Sequence, residues 1–194
     1  MSGRTVRFAL ALSAVLIISA TLTVSARQGL RAKAVIAGEG ITGTVELREV
    51  DAQLSPAHDM AFMTGMKAVE LTVTVSGLKP GAHGIHLHAI GKCEAPAFTA
   101  AGGHFDPGPA GDMDPDANHP FHMGDMPNLV ADASGKAMLK FVTNRVTLGD
   151  GLLSVFDADG TAIIIHANPD QGVTAAPKAG LSGGPRVACG VITK

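Results

Sequence analysis

From Gly40 onward the apolar residues of this chain recur at every second position. Ile41, Val45 and Leu47 share one face of an extended segment, and Thr42, Thr44, Glu46 and Arg48 share the other. A strand with one face in a core and one in water needs this alternation. The pattern returns at Val69, Leu71, Val73 and Val75, after which Gly77-Leu78-Lys79-Pro80-Gly81 reads as a turn. Further candidate strands lie at 128–132, 137–143, 152–157, 161–166 and 187–193, with tight-turn signals at Ser134-Gly135 and Asp159-Gly160. Beyond the first 26 residues no stretch sustains a helical period. With 24 glycines and no Trp or Tyr, the chain is expected to be all-β: an antiparallel β-sandwich or flattened barrel of about eight strands.

The alternation assigns residues 39–194 to one domain. Before it, Arg4 and Arg7 precede an apolar run from Phe8 to Val24, and Val24-Ser25-Ala26 offers small residues for cleavage. Residues 1–26 thus read as a secretory signal peptide, or as a membrane anchor if they stay uncleaved. No Cys follows the apolar run to take a lipid. Residues 27–38 are expected to be a short basic linker. Either fate of the first segment puts the domain outside the cytoplasm. The chain has 17 Asp and Glu against 15 Lys and Arg, and no basic block that would recruit nucleic acid. Cys93 and Cys189 both lie in the exported part, as one disulfide in an oxidising compartment or as two buried thiols.

Two segments interrupt the strands: 91–127, rich in Gly, Pro, Asp and His, and 167–185, rich in Gly, Ala and Pro. Structureless loops of this length in a compact domain usually carry function. Just before the first stands His83-Gly84-Ile85-His86-Leu87-His88. On a strand, His86 and His88 leave the same face while Leu87 points the other way. A His-x-His pair alone is weak, but His104, His119, His122 and His166 follow, with Asp125 close behind. Imidazole nitrogens in a tetragonal set suit copper, and a closed tetrahedron of His and carboxylate suits zinc. His86, His88, His104 and His166 fit the first description. His104, His119, His122 and Asp125 fit the second, provided that His104 loses both ring protons and bridges two ions.

Five segments occurring in order, Gly84 to His88, Gly103-His104-Phe105-Asp106-Pro107, His122 to Asn128, Ile164-Ile165-His166 and Gly184 to Ile192, make the chain resemble the secreted bacterial copper-zinc superoxide dismutases over about residues 40–194. The resemblance implies a Greek-key β-sandwich and an enzyme that turns two superoxide ions into dioxygen and hydrogen peroxide by cycling Cu(II) and Cu(I). It implies His86, His88, His104 and His166 as copper ligands, His104, His122 and Asp125 as zinc ligands, and Cys93 with Cys189 as a disulfide. Arg186 matches the arginine that attracts the anionic substrate, His104 the bridge that passes a proton. Asp170 matches an aspartate joining copper and zinc ligands through their outer nitrogens. Members of the family are monomers or homodimers, and a periplasmic location is expected.

The zinc loop departs from that pattern. Family members usually carry a histidine about eight residues after the bridging one, where this chain has Asp112. His119 is expected to supply the missing ligand, with Asp112 or Asp114 as the alternative. His83 is expected to be structural or exposed at a turn, and no role is assigned to His58. Met60, Met63, Met66, Met113, Met123 and Met126 could assist copper loading through their thioethers, or could simply fill core gaps. The altered loop also leaves open a dismutase-like protein that binds or delivers copper without turnover.

Overall fold

A computed structural model of the protein describes residues 29–52, 67–107, 117, 119–174, 176 and 178–194. Nine strands form one antiparallel sheet: β1 (Arg31–Gly38), β2 (Ile41–Asp51), β3 (Lys67–Ser76), β4 (Gly81–His83), β5 (Ile85–His88), β6 (Leu129–Ala131), β7 (Ala137–Thr143), β8 (Ala162–His166) and β9 (Arg186–Val191). Their order across the sheet is β4-β6-β7-β3-β2-β1-β9-β8-β5. The two edge strands, β4 and β5, are consecutive in sequence with only Gly84 between them. The sheet therefore nearly closes into a barrel, with the chain itself stepping from one edge to the other at Gly84. The connections from β3 to β4 and from β7 to β8 each pass over strands rather than joining neighbours, as Greek-key connections do.

Alternation decides which side chains fill the barrel. Val45 and Leu47 of β2, Leu71 and Val73 of β3, Ile85 and Leu87 of β5, Leu129 of β6 and Ile163 and Ile165 of β8 are all buried in one cluster. Each such side chain contributes about 1.5–3 kcal/mol by leaving water. Truncating Leu71, which has no exposed surface, to alanine would cost about 2–5 kcal/mol. Because Ile85 and Leu87 face inward, His86 and His88 must leave the outer face of β5. They are nevertheless fully buried, covered by the long loops.

Two expectations are corrected here. Residues 31–38 are not linker: they form β1, paired with β2 along its whole length and with β9 at Ala37 and Gly38. Its inward positions are Ala32, Ala34 and Ile36, with Val35 pointing out, so small residues inside and a large one outside hide the alternation from a sequence reading. Residues 152–157 do not form a strand. They make only an isolated bridge, Thr147 to Ser154, and the Thr147 and Ser154 hydroxyls accept from the nearby N–H groups of Gly149 and Phe156, turning the chain. Val155 still points into the core, which is the hydrophobic signal that suggested a strand. The first 26 residues, His58, Met60, Met63, Met66, Asp112, Met113 and Asp114 lie outside the described residues.

Cys93 and Cys189 form a disulfide, with Cα atoms 5.6 Å apart. It joins the start of the first long loop to β9. That loop then makes a short 3-10 turn at Thr99–Ala101 and returns along β5, where His88 bridges to His104 and His86 to Asp125.

Candidate metal centre

Four histidines meet on the outer face of β5. His86 and His88 come from β5, His166 from the end of the paired strand β8, and His104 from the loop lying along β5. One ring nitrogen of each lies within 4.8 Å of the others. These four atoms, His86 Nδ1, His88 Nε2, His104 Nε2 and His166 Nε2, are buried and have no hydrogen-bond partner. Leaving four buried polar atoms without partners is costly unless something else binds them. Their other nitrogens are all engaged: His86 Nε2 with Asp170 Oδ2 at 2.7 Å, His88 Nδ1 with Gly102 O at 3.0 Å, His104 Nδ1 with Asp125 Oδ1 at 2.6 Å, and His166 Nδ1 with Gly184 O at 2.9 Å. Each ring is thus oriented from behind, with its free nitrogen aimed at a common point. That is the support metal-binding histidines receive, and an all-nitrogen set suits copper.

His104 points both ways. Its Nδ1 belongs to a second group, in which one donor atom each from His104, His119, His122 and Asp125 again lies within 4.8 Å of the others. The Nδ1 atoms of His119 and His122 are both 3.1 Å from Asp125 Oδ2. Three imidazoles around one carboxylate, all buried, form a donor set suited to zinc. The outer nitrogen of His119 lies 2.8 Å from Asp170 Oδ1. Asp170 therefore spans the two groups, one oxygen toward His86 and the other toward His119.

Electrostatics follow from burial and charge. Burial holds His104 down at about 3, helped by the charge of His86 and opposed by Asp125. Burial also pushes His88 and His166 well below the ordinary histidine value, with neighbouring histidines and Arg186 acting the same way. All three rings are thereby kept neutral, as ligands must be. Burial pulls His119 down too, but hydrogen bonds and charge from Asp125 and Asp170 outweigh it and raise the group to about 9. Burial would raise Asp125 and Asp170, yet the surrounding histidines hold both well below the usual carboxylate range. Two ionised carboxylates under cover of protein call for a cation, and among the metal-free groups protonated His119 answers.

Arg186 begins β9 and donates to Phe98 O at 2.8 Å and Gly102 O at 2.6 Å. Gly102 O also faces His88 Nδ1, so the guanidinium stands beside the first histidine group. The same arginine borders a cleft of about 500 Å³ with Pro96, Ala97, Thr99, Gly184 and Pro185. His83, expected to be structural or turn-exposed, is buried, with Nδ1 2.8 Å from His166 O and Nε2 2.8 Å from Lys79 O. Gly183 (φ 112°) passes so close to His166 that a Cβ there would sit 2.6 Å from the His166 Cβ. Met126 is buried and Met123 partly buried, both in the core cluster, consistent with gap-filling.

Sequence reasoning missed three contributors. Asn128 grips the main chain of Asp170 twice at 2.8 Å, accepting from its N–H and donating to its carbonyl. Asn128 lies within a motif segment, so its position carried a signal. Thr174 donates to His119 O at 2.5 Å, and Arg145 reaches the carbonyls of the zinc-type loop; a lone Thr and a lone Arg carry no motif.

Residues 41–192 match the family described as copper/zinc superoxide dismutase (SODC). The chain belongs to that family. It is 41% identical over 129 residues to a Cu-Zn superoxide dismutase of Caulobacter vibrioides, covering 64% of this chain and 71% of the relative. Identity to the Escherichia coli K12 Cu-Zn superoxide dismutase is 35% over 134 residues, covering 65% and 72%. Among solved structures, a double mutant of a SOD-like protein from Bacillus subtilis matches with a TM-score of 0.60 and 30% identity, over 82% of this chain and 95% of that one. The clock protein EA4 matches with a TM-score of 0.63 and 26% identity, over 87% and 96%.

Proposed function

We propose that this copper-zinc superoxide dismutase family member converts two superoxide ions and two protons into dioxygen and hydrogen peroxide. In this reading His86, His88, His104 and His166 hold copper, and His104, His119, His122 and Asp125 hold zinc. The observation that carries it is His104, which belongs to two four-residue donor groups at once and is the one residue that they share. When bound, copper supplies a one-electron redox couple and zinc a charge that polarises the shared imidazole.

The protein's own residues do the rest. Arg186 carries a fixed positive charge beside the histidine group and draws in and orients an anion. The chain is net acidic, so this attraction must be local to the cleft. His104 Nε2, on the side of the copper-type group, would be the atom that takes up a proton whenever it is not holding copper and returns it to the departing peroxide, while Nδ1 stays on the other side, next to Asp125 Oδ1. Asp170 fixes the ring planes of His86 and His119 together, so a shift in one group is felt in the other. The disulfide holds the 98–102 segment, whose carbonyls anchor Arg186.

Metal analysis together with a dismutation assay tests the proposal. Close to one copper and one zinc per chain with superoxide turnover is the expected result. Full copper occupancy without turnover would instead favour the copper-binding or copper-delivery alternative. The location proposed is the periplasm, supported by the disulfide and by the basic-then-apolar character of residues 1–26.

A further inference from the structure

The segment that presents His119, His122 and Asp125 is not a strand, and its main chain needs support from elsewhere. Gly124 supplies one anchor, accepting from Leu87 N–H of β5 at 3.0 Å and donating to Phe105 O at 2.8 Å. A second anchor lies on Arg145, two residues beyond the end of β7. The Arg145 N–H is fixed to Thr143 Oγ1 at 3.1 Å. Its guanidinium donates through Nη1 to His122 O at 3.0 Å, with Pro120 O at 3.5 Å, and through Nη2 to Asp125 O. Three carbonyls from a six-residue stretch thus turn inward onto one planar cation, while His119, His122 and Asp125 converge their side-chain donor atoms on one another.

We infer that Arg145 is a positioning residue for the zinc-type group: a fork that sets the backbone from which His122 and Asp125 project. This rests on the reading of His104, His119, His122 and Asp125 as zinc ligands. The chemistry requires arginine, since its donors lie in a fixed plane and reach several carbonyls at once, whereas a lysine ammonium is a compact point charge on a flexible stem. Among the described residues its side-chain hydrogen bonds go to main-chain carbonyls, so its influence on the ligands passes through the main chain. Its effect belongs to the zinc-type group, because none of the carbonyls it holds belongs to His86, His88, His104 or His166.

The test is zinc affinity of the full-length, copper-free protein, measured by competition with a chromophoric chelator for the parent, Arg145→Lys and Arg145→Ala. Both variants should bind zinc about 10- to 100-fold more weakly, the range seen when groups supporting metal ligands are removed. Copper affinity of the other group should change far less. Cobalt placed in the zinc-type group should show a broadened visible absorption spectrum in both variants. Added guanidinium ion should restore zinc affinity to Arg145→Ala, and ammonium ion should not. Zinc affinity equal to the parent's in both variants overturns the inference and leaves the ligand reading intact. Equal losses at both metals, without rescue by guanidinium, also overturn it, since Arg145 would then support the fold alone. A parent protein that takes up no zinc overturns the inference together with the ligand reading on which it rests.

Discussion

His119 Nε2 lies 2.8 Å from Asp170 Oδ1, so the one histidine standing outside the family's usual spacing is tied to the aspartate that also reaches the copper-type group. Its Nδ1 meanwhile lies 3.1 Å from Asp125 Oδ2, on the inner side with His104 and His122. Replacing His119 by Gln should remove both contacts together. Zinc affinity should fall more than about 100-fold, beyond the loss expected for a supporting group, while copper binding persists. Zinc content by elemental analysis after dialysis checks this. A variant that keeps its zinc would return the fourth position to another residue.

Much of this arrangement is legible in the sequence, and the reasons are local. Period two in β2 and β3 exposed those strands because large apolar residues alternate with polar ones there, whereas β8 is an unbroken buried run, AIIIH, marked by its short apolar length alone. In β1 the inward residues are Ala32, Ala34 and Ile36, while Val35 is 71% exposed; with the contrast reversed, the strand passed for linker. His86 and His88 were readable as a pair because the strand geometry fixes their common face. Asn128 and Arg145 act through main-chain groups of segments distant in sequence, and no spacing rule encodes such contacts. The burial of His83 arises in the same way, from carbonyls of Lys79 and His166 that meet only when the barrel closes.

The metal-free protein should be most stable near neutrality. His88, His104 and His166 have folded-state values below 6.5, so the unfolded chain binds their protons more readily. Their contribution is complete above 6.5 and is lost as pH falls toward 3. His119 is raised to about 9, so its contribution is complete below 6.5 and is lost as pH climbs through 9. Stability should therefore drop on both sides, by up to about 1.4 kcal/mol per pH unit for each proton linked. The acid side should be steeper, with three histidines against one. Urea unfolding of metal-free protein at about pH 5, 7 and 9 measures it; a profile still rising above neutrality would contradict the assignment of His119.

Arg186→Met removes the fixed charge that is held against the carbonyls of Phe98 and Gly102, beside the histidine group. Removing a fixed charge from the mouth of the site should lower kcat/KM by about 10- to 100-fold and flatten its dependence on ionic strength. Arg186→Lys keeps the charge but not the planar fork, so it should fall between the two. Pulse-generated superoxide, followed at several salt concentrations, gives all three values. Unchanged salt dependence in the Met variant would place the steering charge elsewhere.

Opening the disulfide should affect stability and catalysis by separate routes. The bridge closes a loop of 96 positions, and in the chain-entropy account its loss destabilises the fold by about 4–5 kcal/mol. The same bridge holds the segment whose Gly102 carbonyl accepts from Arg186 at 2.6 Å and faces His88 Nδ1 at 3.0 Å. A Cys93→Ser, Cys189→Ser double variant should therefore melt at lower temperature and, even where it is fully folded, lose kcat/KM as the anchor of Arg186 loosens. Adding Arg186→Met to that variant should cost less than it does in the parent, because the two changes weaken one contact. Thermal melts and kinetics on the four proteins complete the cycle; fully additive losses in kcat/KM would show that the disulfide and Arg186 act independently.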